Sequence, residues 1–411
     1  MRATRKSLAL TLGVATLLAV AACAPSSSGG DSAGAGTGTG TSQEASEGGE
    51  PINVGIITST TGPLAAYGKT FTEGFEAGLD YATDGTGEVN GRELKVTYED
   101  DGGDTDRAVT LARDLIGQGF TILGGTASSG IALSLAEQAE QNKVLYVSGP
   151  AATDAITCIN DYTFRSGRQS LQDVATAGSF ADVKGQQVLV FAQDNAFGQG
   201  NLAAVQAVLG AQGAEVTSVM VPEDVTEFTP FAAQVLQARP TMVFVAWAGA
   251  TSGAMWQALD QQGVLDDITV VTGLGDASTY SAYGAASEKI EFLNHYFPGA
   301  ADNAVNKAMV EHVEKSGGTP DLFTPDGFTA AQMIVHAVET AGGADDVDKM
   351  VTALEGWSFD GPKGAYTIRA SDHALIQPMF QAKLVSDGNG GWKPELVSTA
   401  APEDVAPPEA G

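Results

Sequence analysis

A strand that ends in small residues and hands directly over to a helix constrains this chain more than any other feature. Residues 120–123 (Phe-Thr-Ile-Leu) form a short apolar run of the kind buried in a parallel sheet. Gly124 and Gly125 are expected to break it. Ser128 or Ser129 is then placed to cap an Ala/Leu-rich segment, 131–141, with helical spacing. The first amides of such a helix have no intrahelical partner and sit at the positive end of its dipole. With two hydroxyls beside them they would make a small anion site, sized for a carboxylate or a phosphate. The same residues also read as a plain capped turn.

The unit recurs along the chain. Residues 51–57, 94–98 and 144–147 read as further strands, with helices over 71–81 and 105–116, the second capped by Asp104. A second series follows, with strands at 187–192, 216–221, 242–246, 268–272 and 290–297 and helices between them. Regular alternation of this kind predicts right-handed parallel α/β winding. Two such series predict two doubly wound, Rossmann-like units. Ligands in open α/β sheets sit outside the carboxyl ends of the strands, so the small-residue turns at Ser59, Ser128 and Ala151 should share one rim. Three late helices (305–315, 328–340, 347–354) and two short strands near 366–368 and 379–385 complete the body.

The 411 residues, 43% of them apolar, are enough for two sizeable cores. The formal charge of -29 excludes a nucleic-acid partner and an anionic membrane surface. It does not exclude an anionic ligand, because local amides in a cleft outweigh distant, screened carboxylates. Cys23 and Cys158 are the two cysteines, so no disulfide framework is expected, and Cys158 reads as a small hydrophobe. The histidines at 295, 312, 336 and 373 show no metal-ligand spacing. There is no Walker loop, nucleophile elbow or dinucleotide fingerprint at a strand-to-helix turn. Neither a cofactor, a metal nor catalysis is expected.

Arg2, Arg5 and Lys6 precede an apolar run, 8–20, too short for a membrane span and laid out as a signal peptide. It ends in Leu18-Ala19-Val20-Ala21-Ala22-Cys23, which resembles the bacterial lipoprotein cleavage box. That resemblance implies removal of 1–22 and lipidation of Cys23, holding the body at the outer face of a membrane. Residues 23–50, rich in Gly, Ser, Thr and acids, read as a flexible tether. Residues 399–411 read as a fraying tail.

Several stretches, in order, resemble one family. They are Gly62-Pro63-Leu64-Ala65-Ala66-Tyr67-Gly68-Lys69, Val89-Asn90-Gly91-Arg92, Glu99-Asp100-Asp101-Gly102-Gly103-Asp104 and Gly125-Thr126-Ala127-Ser128-Ser129-Gly130. Pro150-Ala151-Ala152-Thr153, Phe197-Gly198-Gln199-Gly200 and Phe359-Asp360-Gly361-Pro362-Lys363-Gly364 with Asp372-His373 continue the set. The chain is thereby similar to the branched-chain amino-acid type of ABC-transporter substrate-binding protein. The resemblance implies the type I periplasmic-binding-protein fold, with two lobes joined by a three-crossing hinge that closes on ligand. It places the crossings near 164–165, 297–298 and 368–369. Lobe 1 is then 52–164 plus 298–368, and lobe 2 is 165–297 plus 369–398. It also implies a monomer that hands a small ligand to a membrane permease.

Carried over position by position, the resemblance puts a ligand carboxylate at Ser128 and Ser129 and in the region of Ala151 and Thr153. Tyr67 borders the ligand, Phe197 walls its apolar part and Phe323 lines the pocket. Trp247 stands where amino-acid binders have a glycine, and is read equally as ordinary core. Gly275 stands where they have the acid that pairs with the ligand ammonium, with Asp276 one position later. If Asp276 turns inward, an apolar amino acid is the expected ligand; if it is a turn-forming surface Asp, an aromatic or aliphatic organic acid is expected. A ligand-sensing lipoprotein without a permease uses the same scaffold.

Overall fold

The structure, a computed structural model, describes residues 49–410. The leader, Cys23 and the tether up to residue 48 lie outside the described residues.

The first sheet is built from β1 (Ile52–Thr58), β2 (Glu88–Val89), β3 (Arg92–Asp100), β4 (Ile122–Gly125), β5 (Leu145–Ser148) and β6 (Thr163–Arg165), in the order β2-β3-β1-β4-β5-β6. From β3 to β6 every neighbour is parallel. The second contains β7 (Gln187–Gln193), β8 (Glu215–Val221), β9 (Met242–Ala246), β10 (Thr269–Gly273) and β11 (Ile290–Asn294), wound in the same way as β8-β7-β9-β10-β11. A small sheet pairs β12 (Ser358–Gly361), β13 (Gly364–Ile368) and β14 (Leu375–Ile376). Finally β15 (Met379–Ser386) and β16 (Trp392–Ala400) extend the second sheet antiparallel from β11. The chain is α/β, with two mainly parallel sheets of matching strand order.

Alternate strand residues face opposite sides, and helices cover both. In the first sheet Val54, Ile56, Ile122 and Val147 pack on Phe71, Phe75 and Ile334, while Ile57 and Leu123 pack on Ala108, Leu115 and Leu135. In the second, Leu189, Phe191 and Val245 face Trp256 and Leu259, while Val190 and Phe244 face Val174 and Val205. Tyr366, Ile368 and Leu375 of the small sheet share the core of the first.

The structure differs from the sequence reading at four places. Gly124 and Gly125 continue β4 rather than breaking it, because the sheet there has no room for side chains. A Cβ on Gly124 would stand 2.9 Å from Ile56 Cδ1, and one on Gly125 (φ +106°) 2.4 Å from the Ile57 carbonyl oxygen. The third passage between the sheets comes at Gln377-Pro378 instead of 368–369, since β14 is still hydrogen-bonded to β13. Residues 399–410 are packed: Ala400 pairs with Met379, Val405 is fully buried, and Arg369 Nη1 donates to the Pro407 carbonyl at 2.9 Å. Cys158 is exposed at a turn with φ +61°, so it fills no core.

Candidate functional site

A cleft of about 410 Å³ opens between the carboxyl ends of the two sets of parallel strands. On one side it is lined by Pro63, Leu64 and Tyr67 after β1, Ser128 and Ser129 after β4, and Pro150 and Ala152 after β5. On the other it is lined by Gln193 and Phe197 after β7, Trp247 after β9, and Leu274 and Gly275 after β10. Two backbone N–H groups donate across it. The Gly249 N–H donates to Tyr67 Oη at 3.3 Å, and the Ala250 N–H to the Pro63 carbonyl at 3.1 Å.

Ser128 is the N-cap of the helix Ser129–Asn142, its Oγ accepting from the Ile131 N–H at 3.4 Å. This is the helix start that the sequence marks as an anion site, and both serines line the cleft. Tyr67, Phe197, Trp247 and Phe323 line it too. Tyr67 meets Phe323 edge-on at 4.7 Å. Trp247 has a double role, with its ring stacked on Phe191 at 5.5 Å and its Nε1–H donating to Thr251 Oγ1 at 3.0 Å.

Ala151, Thr153 and Asp276 are not among the lining residues. Thr153 stands directly behind the wall, its N–H donating to Ser129 Oγ at 3.3 Å, so it orients a residue that does line the cleft. Ala151 is fully buried between the lining residues Pro150 and Ala152. Asp276 caps a short 3₁₀ turn, where its Oδ1 accepts from both the N–H and the hydroxyl of Ser278. Gly275 faces the cleft in its place.

The sequence reading did not single out Arg168 and Asp173, and it read His295 as packing or capping; all three line the floor. Arg168 Nε lies 3.3 Å from Asp173 Oδ2, its Nη1 donates to the Pro150 carbonyl at 2.8 Å, and its guanidinium covers the Phe323 ring at 5.4 Å. Asp173 sits in the first turn of the helix Ser170–Phe180. Burial raises its pKa, against the pull of Arg168 and Lys363. His295 bonds through both ring nitrogens, Nε2 to the Asp326 carboxylate and Nδ1 to Lys363 Nζ at 3.0 Å. Burial and the nearby cations hold its pKa well below the usual histidine range, so it is neutral. Nε2–H then donates to Asp326 and Nδ1 accepts from the lysine. The only sequence signal for these residues was their nearness to the chain crossings. Among the described residues, no group of three His, Cys, Asp or Glu could hold a metal ion, and no helix is long and apolar enough to cross a membrane.

Residues 51–389 match the family described as periplasmic binding protein. A crystal structure of an ABC-type branched-chain amino acid transporter from Rhodopseudomonas palustris is 32% identical. It covers 87% of this chain and 99% of its own, with a TM-score of 0.72. A solute-binding protein of an ABC transporter from the same species, solved with p-hydroxybenzoic acid, shares the fold at 23% identity. Its TM-score is 0.79, over 87% of this chain and 98% of its own. Leu/Ile/Val-binding protein homolog 3 of Brucella melitensis is 24% identical over 342 residues, 82% of this chain and 92% of that one. The chain belongs to the periplasmic binding protein family, in its branched-chain amino-acid ABC-transporter branch, with the type I fold. It is an extracytoplasmic solute-binding protein and not an enzyme.

Proposed function

We propose that this chain captures small carboxylic acids with an apolar, aromatic or branched body and presents them to an ABC permease from a lipid anchor at Cys23. One observation carries the reading. The Ser128-Ser129 helix start and the aromatic faces of Tyr67, Phe197, Trp247 and Phe323 line a single cleft. The helix start supplies amides and dipole for one carboxylate, and the rings supply apolar area for the rest of the ligand. The relatives named for Leu/Ile/Val and the fold neighbour holding p-hydroxybenzoic acid bind ligands of this general shape. The anchor rests on the residues before Cys23.

The test is a melting-temperature series on the mature chain, refolded to strip carried-over ligand. The panel sets leucine, phenylalanine, benzoate and 4-methylpentanoate against their amides. A ligand at about 100 times its Kd adds about 2.7 kcal/mol and moves the melting point by a few degrees. Acids are expected to shift it and amides not. Equal shifts with amides, or none with any acid, would overturn the carboxylate reading.

A further inference from the structure

We infer that Arg168 is the cation that reads the ligand's acid group: its Nη2 donates to the carboxylate in the cleft and makes the site select an acid over its neutral amide. The inference rests on the carboxylate reading above and deepens it by naming the charge that the reading lacks. The Ser128-Ser129 helix start offers only neutral donors, and in a chain of formal charge -29 the attraction for an anion must come from close by. Among the described residues that line the cleft, Arg168 is the one Lys or Arg. His295, which also lines it, is neutral.

The guanidinium is pinned in place and incompletely used. Its side chain is 11% exposed. Nη1 donates to the Pro150 carbonyl at 2.8 Å, and Nε is enclosed 3.3 Å from Asp173 Oδ2. The Phe323 ring lies 5.4 Å from the guanidinium carbon. Nη2 has no acceptor among the described residues and, unlike Nε, is not enclosed. A nearly buried N–H without an acceptor is unfavourable, and a ligand oxygen reaching it relieves that. The planar fork of arginine suits a carboxylate, and a charged donor bonds it about twice as strongly as a neutral one. Asp173 leaves that role open, because it meets Arg168 at Nε. The Pro150 carbonyl that holds Arg168 begins the segment 150–153, and at its other end the Thr153 N–H donates to Ser129 Oγ at 3.3 Å. The guanidinium and the helix start are thus both tied to one short stretch of the wall.

Dissociation constants are measured by calorimetry on the mature chain for leucine, phenylalanine, benzoate and 4-methylpentanoate, each with its amide. Wild type is compared with Arg168→Met, which keeps the length and removes the charge, and Arg168→Lys, which keeps the charge. Wild type is expected to bind at least one acid about tenfold tighter than its amide or more, as a charge-assisted hydrogen bond gives. Arg168→Met should weaken that acid about tenfold or more and its amide about threefold or less, so that the preference collapses. Arg168→Lys should fall between the two. If Arg168 only braces the wall, acid and amide weaken by the same factor and the preference survives, which overturns the inference and leaves the carboxylate reading standing. A crystal structure of the wild-type chain with its tightest acid decides the matter even if Arg168→Met does not fold. A carboxylate oxygen at hydrogen-bond distance from Nη2 is expected, and one out of its reach overturns the inference. If wild type binds no acid, or binds amides as well as acids, the carboxylate reading has failed and the inference falls with it.

Discussion

The neutral His295 imidazole is bonded at its two ring nitrogens to two buried ionisable groups, Asp326 and Lys363. Burial pulls Lys363 down from its ordinary 10.5 to about 7, despite the pull of Asp326 and Asp173. Burial likewise pushes Asp326 up to about 7, against Lys363 and Arg168. The signs follow from proton counting. Between about pH 7 and 10 the unfolded chain holds a proton on Lys363 that the folded chain has lost, so this residue makes stability rise with pH. Between about pH 4 and 7 the folded chain holds the extra proton, on Asp326, and stability falls with rising pH. Urea unfolding followed across pH should therefore lose its upper slope in Lys363→Met and its lower slope in Asp326→Asn. Each single change is expected to destabilise by about 3–5 kcal/mol, because it strands a buried charge or donor, and the double variant by less than the sum.

At the scale of elements, the helices Ala65–Ala82 and Thr324–Ala341 meet backbone to backbone. A Cβ on Gly74 would stand 1.9 Å from the Thr324 carbonyl oxygen, and one on Gly327 would stand 1.9 Å from that of Phe71. Backbone cannot yield as a side-chain tip does, so Gly74→Ala is expected to lose about 3 kcal/mol, read as a lower urea midpoint. The alternation of strands and helices was legible because each element carries its own apolar period. The turn after β4 and the Ser128 cap were legible for the same local reason. Residues whose role depends on distant partners were not. Nothing local distinguishes Gly124, whose space is taken by Ile56, or Arg168, whose partners come from three different turns. Asp276 shows the reverse: a motif position pointed to it, and the hydroxyl two residues later holds it in a turn.

For the whole molecule, the polar contacts that span the cleft include the Gly249 N–H to Tyr67, the Ala250 N–H to Pro63 and the Ala277 N–H to Asp321. Replacing Tyr67 by Phe removes the acceptor of the Gly249 N–H across the cleft. One such bond contributes about 0.5–1.5 kcal/mol, so Tyr67→Phe should weaken binding about two- to tenfold, with the change in the dissociation rate. Stopped-flow displacement separates this from a change in the rate of capture.

The C-terminal segment bears on the same motion. After β16, in the second sheet, the chain returns to the first lobe, where Arg369 donates to the Pro407 carbonyl and the Ala410 N–H reaches Asp372 at 3.0 Å. The chain passes three times between the two sheets, and this segment adds a fourth, non-covalent attachment between them. We propose that any opening of the cleft must carry this attachment along or peel it away. Ending the chain after Ala400 should increase the radius of gyration of the unliganded form in small-angle scattering and leave that of the liganded form unchanged.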